Sequence, residues 1–284
     1  MNQDYYNNYI DQFINNALSE DLGDGDHTTL SCIPADTEGK AKLLIKEDGI
    51  LAGVEIAKRV FKRFDSQLAI TSYIKDGAGV QSGDVALIVE GKKASILQTE
   101  RLVLNIMQRM SGIATTTNTY VQKLHGLHTK VLDTRKTTPG MRLLEKEAVR
   151  LGGGDNHRMG LFDMIMIKDN HIDFAGGIEP AINKTLEYLR KKGKDLQIEV
   201  EARSLDEVKE IMRIGKVHRI MLDNFSYHDT RTAVRLIADQ YETESSGGIT
   251  IDTLRNYAEC GVDFISVGAL THQIRSLDMS LKAF

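Results

Sequence analysis

Past residue 128 the chain repeats one unit, a short apolar run closed by a polar or glycine position and followed by a helical stretch. The runs are Lys130 to Leu132, Met164 to Ile167, Gln197 to Val200, Arg219 to Leu222, Thr243 to Glu244 (the weakest) and Asp263 to Val267. The positions that follow or close them are Arg135, Lys168, Glu201, Asp223, Ser246 and Gly268, and the last three intervals are 22, 23 and 22 residues. Helical patterns fall between them at Glu179 to Lys192, Leu205 to Ile214, His228 to Tyr241 and Ile249 to Cys260. Such alternation predicts a parallel sheet covered by helices, closed or nearly closed into a barrel. A barrel of this kind carries its chemistry at the C-terminal strand ends, where these polar positions fall.

The first part of the chain reads differently. Tyr9, Phe13 and Ala17, with Ile10, Ile14 and Leu18, predict a helix over Tyr5 to Glu20 that ends in DLGDGD. That turn is not a calcium loop, because Gly23 stands where a ligand is needed and Cys32 where the closing acid belongs. From Gly39 to Gly91, short strands broken by Asp-Gly and Ser-Gly-Asp turns flank a helix at about Glu55 to Phe64. A biotinyl or lipoyl carrier would need a modifiable lysine on a hairpin tip beside Met or Ala, and neither Lys75 nor Lys92 has that setting. Two helical stretches meeting at Ser111-Gly112 follow. The expected organisation is α/β: a sandwich domain over 1–112, an α/β barrel over 113–270 and a segment, 271–284, packing back toward the first domain.

With 41% hydrophobic and 27% charged residues in 284, the chain can bury a core. Its 36 basic against 40 acidic residues argue against nucleic acid or a membrane surface as partner. No run of apolar residues is long enough to span a bilayer. Cys32 and Cys260 are far apart and match no metal or redox spacing, so a reducing, cytoplasmic setting is expected.

Against this mildly acidic background, the stretch Asp133 to His171 collects Arg135, Lys136, His157, Arg158 and Lys168. Clustered cations repel one another, so the pattern predicts a site for a polyanionic small molecule. In LQIEVEA, Glu199 and Glu201 share one face of a strand expected to be buried on both, so each acid needs a partner. Glu199 is read as a structural ion pair, Glu201 and Asp223 as functional acids.

DTRKTTPG, GGGDNHRMGLFDMIMIKDNHI, EVEARSLDE, MLDNF, ESSGGI and SVGALTH, with ERLVLN and ALSEDLGDGD upstream, closely resemble the quinolinate phosphoribosyltransferase family. The resemblance runs from about Ala17 to Lys282, with mild departures at His27, Asn118 and Gln273. It implies an N-terminal α/β sandwich and an irregular, incompletely closed α/β barrel. It further implies that Mg²⁺, phosphoribosyl pyrophosphate and pyridine-2,3-dicarboxylate react to nicotinate mononucleotide, pyrophosphate and CO₂. The arginine of ER-xx-LN, Arg101, is implied to cross a two-fold homodimer interface and meet the substrate carboxylate.

The residues can be matched to that chemistry one by one. Arg135 and Arg158 suit a planar dicarboxylate, with Thr134 and His157 beside them. Lys136, Lys168 and Mg²⁺ suit the pyrophosphate leaving group. Glu201 and Asp223 suit the ribose hydroxyls and the metal, directly or through water. Ser246-Gly247-Gly248 offers backbone N–H groups to the 5′-phosphate, and Gly268, Ala269 and Leu270, with His272, form the second half of that cup. Two other readings stand beside this one: a barrel aldolase using Lys168 as Schiff-base nucleophile, and a non-catalytic phosphosugar sensor. For Arg101 the plainer reading is a surface salt bridge with Glu100 or a neighbouring acid. On a helix Arg101 would share a side with Leu97, Leu104 or Asn105 and Gln108, while Ile96, Val103, Ile106 and Met107 pack inward.

Overall fold

A computed structural model describes residues 3–284 and divides them into two compact units. The first comprises residues up to Asn118, Thr138–Gly153 and Gln273–Phe284; the second comprises Thr119–Thr137 and Gly154–His272.

The first unit is built on an antiparallel sheet. Strands β1 (Glu38–Ile45), β3 (Ala69–Ser72), β5 (Val85–Lys92) and β12 (Met279–Ala283) run in the order β12-β1-β5-β3, and a small pair joins β2 (Gly49–Ile50) to β4 (Gly79–Val80). Alternation along β1 sends Ala41, Leu43 and Ile45 into the core. Helices α1 (Gln3–Leu22), α2 (His27–Cys32), α3 (Val54–Phe64), α4 (Lys93–Lys123) and α5 (Arg142–Leu151) complete the element set of this part. In α3, Ile56, Ala57, Val60 and Phe61 form the buried stripe, and the Asp76 carboxylate caps its start by accepting the Val54 N–H at 2.8 Å. The C-terminal strand β12 pairs with β1 in the register Ala41↔Ala283 to Ile45↔Met279.

The two helices expected to meet at Ser111-Gly112 are one helix of 31 residues, so a boundary at residue 112 falls inside α4. The Ser-Gly pair serves packing instead of chain reversal. The Ser111 hydroxyl accepts the Ala52 N–H at 2.8 Å and donates to the Ala52 carbonyl at 3.1 Å. A Cβ on Gly112 would lie 2.2 Å from the Arg275 carbonyl oxygen, so only glycine admits that backbone.

The second unit holds six parallel strands, β6 (Lys130–Leu132), β7 (Ile165–Ile167), β8 (Ile198–Ala202), β9 (Arg219–Asp223), β10 (Glu242–Ser246) and β11 (Phe264–Ser266), in the order β6-β11-β10-β9-β8-β7. The two ends of this order, β6 and β7, are consecutive in sequence and do not pair, so the barrel is incompletely closed. On the open side Leu132 bridges Asp155: the Val131 carbonyl accepts the Asp155 N–H at 2.9 Å, and the Asp133 N–H reaches the Asp155 carbonyl at 3.2 Å. The covering helices are α6 (Asp169–Ala175), α7 (Ile178–Lys192), α8 (Leu205–Ile214), α9 (Tyr227–Ile237), α10 (Leu254–Ala258) and the single turn α11 (Ala269–His272). Ser204 and Ser226 cap α8 and α9 through the Glu207 and Asp229 N–H groups.

Two expected helices are shorter than their apolar patterns. α9 stops at Ile237 because Ala238 and Asp239 take left-handed backbone angles. The chain after Ile249 spends a turn at Thr250–Thr253, closed by the Thr250 N–H on Thr253 Oγ1 at 2.9 Å, before α10 begins. The weakest strand, by contrast, is longer than read: β10 is ETESS, and Thr243, Glu244, Ser245 and Ser246 are all buried. Among the described residues no helix is long and apolar enough to cross a membrane.

Candidate active site

Parallel strands bring their C-terminal ends to one rim, and that rim carries the expected polar groups: Thr134, Arg135 and Lys136 after β6, Lys168 after β7, Glu201 on β8, Asp223 on β9, Ser246 on β10 and Gly268 after β11. Most guanidinium groups elsewhere in the protein face an acid, as Arg59 does Asp11, Arg109 does Glu145 and Arg203 does Glu207. Arg135, Lys136 and Arg158 form no ion pair among the described residues. Arg135 is half-buried and its Nε, shut off from solvent, has no hydrogen-bond partner. Arg158 donates to the Met164 carbonyl at 3.3 Å, and burial, then the positive charge of Arg135, hold its guanidinium below the ordinary arginine range. Two neighbouring arginines with donors to spare can together bind an anion with more than one acceptor group.

Lys168 does have a partner. Its Nζ lies 3.0 Å from Oε2 of Glu201, which is 4% exposed, so the one buried acid of the rim is compensated by a lysine whose side chain remains 46% exposed. Asp223 accepts from the Ser246 hydroxyl on one oxygen and from the Asn224 side-chain amide on the other, each at 2.6 Å. The Ser246 hydroxyl proton is therefore committed to Asp223. Gly247 and Gly248 both have left-handed backbone, φ +93° and +59°. A Cβ on Gly247 would fall 2.2 Å from Asn224 Oδ1, so the turn is open only to glycine. At the end of the neighbouring strand β11, the Cβ position of Gly268 lies 3.0 Å from both Lys136 Cδ and His272 Nε2. The Thr271 hydroxyl donates to the Lys136 carbonyl at 2.9 Å, which binds the Gly268–His272 turn, with Ala269 and Leu270, to the Lys136 segment.

His157 sits deeper than a rim residue. Its side chain is 4% exposed, with Nε2 at 3.1 Å from Glu199 Oε2 and 3.3 Å from Glu244 Oε2. Arg219 continues the cluster, 3.0 Å from Glu244 and 2.9 Å from Glu242, with its guanidinium over the Phe264 ring. Burial opposes charge on the imidazole, but the two carboxylates outweigh it and push the ring up to about 9. Burial and the neighbouring Glu244 push Glu199 up to about 7. Working against a second ring proton, Nδ1 accepts the Arg158 N–H at 2.7 Å, which an unprotonated nitrogen does. Both ring nitrogens of His157 are thus engaged within the protein. Glu199 is a structural ion-pair member, as its place on β8 indicated. Its partners come from distant strands that period-two reading of one segment does not name.

The same trio, His157, Glu199 and Glu244, has spacing that a metal ion can use, but it is fully enclosed and already balanced by Arg219. Sequence reading missed Asp133, Asn224, Arg219 and Glu244. Asp133 and Asn224 flank residues that were chosen, and the available signal was their position at strand ends. Glu244 was hidden in the weakest strand.

Arg101 lies on α4 in the first unit, exposed, and it forms no ion pair with Glu100 or any other described residue. Ile96, Val103, Ile106 and Met107 are buried, and Leu97 and Asn105 are exposed with it. That is the stripe read from the helix spacing.

Comparison with known proteins places this geometry. The chain is 47% identical over 281 residues to quinolinate phosphoribosyltransferase [decarboxylating] 1b of Nicotiana tabacum, covering 94% of this chain and 80% of the relative. It is 41% identical to the probable nicotinate-nucleotide pyrophosphorylase [carboxylating] of Bacillus subtilis, covering 96% and 92%. The crystal structure of NadC from Streptococcus pyogenes superposes with a TM-score of 0.91 at 41% identity, covering 96% of this chain and 95% of that one. Residues 26–111 match the N-terminal domain and residues 113–282 the C-terminal domain described for quinolinate phosphoribosyl transferase, and the chain belongs to that family.

Proposed function

We propose that this enzyme joins pyridine-2,3-dicarboxylate to the ribose of phosphoribosyl pyrophosphate and decarboxylates the product, yielding nicotinate mononucleotide, pyrophosphate and CO₂ for NAD biosynthesis. The observation that carries the reading is the pair Arg135 and Arg158, close enough that the charge of Arg135 lowers the Arg158 guanidinium, with no ion pair on either among the described residues. Two guanidinium groups match two adjacent carboxylates, and holding both fixes the ring nitrogen relative to the sugar. As that nitrogen bonds to the anomeric carbon, the bond to pyrophosphate breaks. Lys136 and Lys168 then face growing charge on the leaving group, an interaction stronger in the transition state than before it. Glu201 and Asp223 accept hydrogen bonds from the ribose hydroxyls. Once alkylated, the ring nitrogen is cationic; as the bond to the neighbouring carboxylate breaks and CO₂ leaves, the electron pair stays on that ring carbon, stabilised by the adjacent positive nitrogen, and bonds a proton taken up from solvent.

Mg²⁺ belongs to the same proposal. Glu201 and Asp223 supply hard oxygen donors at the ends of adjacent strands, but Glu201 is paired with Lys168 and both Asp223 oxygens already accept hydrogen bonds. That suits contact through the ion's waters, with the diphosphate as principal ligand. When bound, Mg²⁺ adds positive charge at the leaving group.

The half-exposed, carboxylate-paired Lys168 argues against the aldolase reading, which needs a desolvated neutral amine. We also infer a homodimer in which Arg101 serves the partner's site, supported by its exposure and lack of an ion pair, and a cytoplasmic setting, supported by the free thiols Cys32 and Cys260. The test is CO₂ release from pyridine-2,3-dicarboxylate. The reading expects release only when phosphoribosyl pyrophosphate and Mg²⁺ are both present, and release without the sugar donor overturns it.

A further inference from the structure

Two loops deliver the arginines of this site, and neither is a regular element. Arg135 stands two residues past Asp133 on the loop leaving β6, and Arg158 stands on the glycine-rich segment that enters the open side of the barrel. Loops of this kind do not hold two like charges together unaided, since repulsion favours their separation. Among the described residues neither guanidinium has an ion-paired acid, and Glu199 and Asp163 act on Arg158 only from farther off, after the repulsion from Arg135, so much of the restraint acts on the backbone behind them.

Asp133 supplies it. The residue is fully buried, and its carboxylate faces the other loop. Oδ1 accepts the His157 N–H at 2.9 Å, and Oδ2 accepts the Asn156 side-chain amide at 2.7 Å. Its own N–H reaches the Asp155 carbonyl at 3.2 Å, so three consecutive residues, 155 to 157, are held by this single position. From the far side His157 is clamped between Glu199 on β8 and Glu244 on β10, and its Nδ1 accepts the Arg158 N–H at 2.7 Å. Arg158 therefore follows directly on a backbone fixed at residues 155 to 157, and the carboxylate that does the fixing stands two residues before Arg135. A buried carboxylate needs several donors to remain ionised, and here all those named come from the loop to be positioned.

We propose that Asp133 is a positioning residue that sets the spacing between Arg135 and Arg158, and so the enzyme's fit to two adjacent carboxylates. This rests on the functional reading above for its ligand, though not for its geometry. Asp133 touches no reacting atom. Its removal acts through the arginines and falls on the dicarboxylate far more than on phosphoribosyl pyrophosphate.

The test compares Asp133→Asn, Asn156→Ala and the exchange Asp133→Asn/Asn156→Asp with the unaltered enzyme. In Asp133→Asn the amide still accepts the His157 N–H but opposes a second amide at Asn156. KM for the dicarboxylate should rise about tenfold or more, as misplacement by about 1 Å can cost that much, while KM for phosphoribosyl pyrophosphate stays within about twofold. Asn156→Ala, which removes only an exposed partner, should shift the same parameter less. The exchange restores a donor-acceptor pair and should recover much of the loss. Equal changes in both KM values, or a lower melting temperature with neither changed, would show a merely structural role and overturn the proposal. Crystals of the unliganded Asn156→Ala and Asp133→Asn proteins judge the geometry separately: residues 156–158 displaced with β6 and β8 in place supports the clamp, and an unmoved segment refutes it. Failure of the unaltered enzyme to turn over counts against the reaction assigned above and leaves this structural comparison intact.

Discussion

Lys168 Nζ and Glu201 Oε2 lie 3.0 Å apart, and they join the ends of adjacent strands β7 and β8. On the function proposed above, the contact sets a cation for the leaving group beside an acid for the ribose before substrate arrives. Glu201→Gln or Asp223→Asn should leave dicarboxylate binding within a few-fold while lowering kcat by about a hundredfold or more, the scale of losing one electrostatic contact in a transition state. Calorimetric binding with steady-state kinetics checks this. A variant that binds the pyridine poorly yet turns over normally would reverse the roles.

Arg135→Ala and Arg158→Ala should weaken the dicarboxylate much more than nicotinate, which has one carboxylate fewer. Stranding one carboxylate without its guanidinium partner costs on the order of 2 to 5 kcal/mol. Equilibrium titration of each variant with both ligands reads the difference, and equal losses would contradict the assignment.

Arg101 forms no ion pair among the described residues and belongs to a different unit from the rim. Inactive Arg101→Ala subunits mixed with inactive Lys168→Ala subunits should regain partial turnover, because one site of each mixed dimer holds both intact residues. Subunit exchange shown independently, with activity still absent, would assign Arg101 to its own subunit.

The buried cluster gives stability a definite pH dependence. Glu199 is raised from 4.5 to about 7, and His157 from 6.5 to about 9. For both, the folded state holds a proton more tightly than the unfolded chain. Their contribution is full below the unfolded values and is lost as pH rises, through about 7 for Glu199 and about 9 for His157. Glu244, lowered, contributes in the opposite sense and only toward acid. Urea unfolding should therefore show stability declining from pH ~5 to pH ~9, with Glu199→Gln flattening the lower part of that decline. An unchanged profile in that variant would place the proton elsewhere.

The barrel was legible because its signal is local. Apolar runs and regular spacing mark strands one at a time, and parallel strands must then present the residues that follow them at a common rim. Arg135, Lys168, Glu201, Asp223, Ser246 and Gly268 were identified on that ground alone, and the long ordered motifs supplied the family. Tertiary structure decided what stands behind and between them. A Ser-Gly pair reads as a stop, yet in α4 it is where Ala52 and Arg275 approach the helix. Five polar residues in β10 read as a poor strand, yet Glu244 is buried there because Arg219 and His157 meet it from elsewhere in the chain. Asp133 has the same character, since its donors lie 23 and 24 residues away. Spacing along a chain determines which face and which strand end a side chain occupies. The partner that makes a buried charge tolerable is set by contacts closed over long loops, whose registration no local pattern encodes.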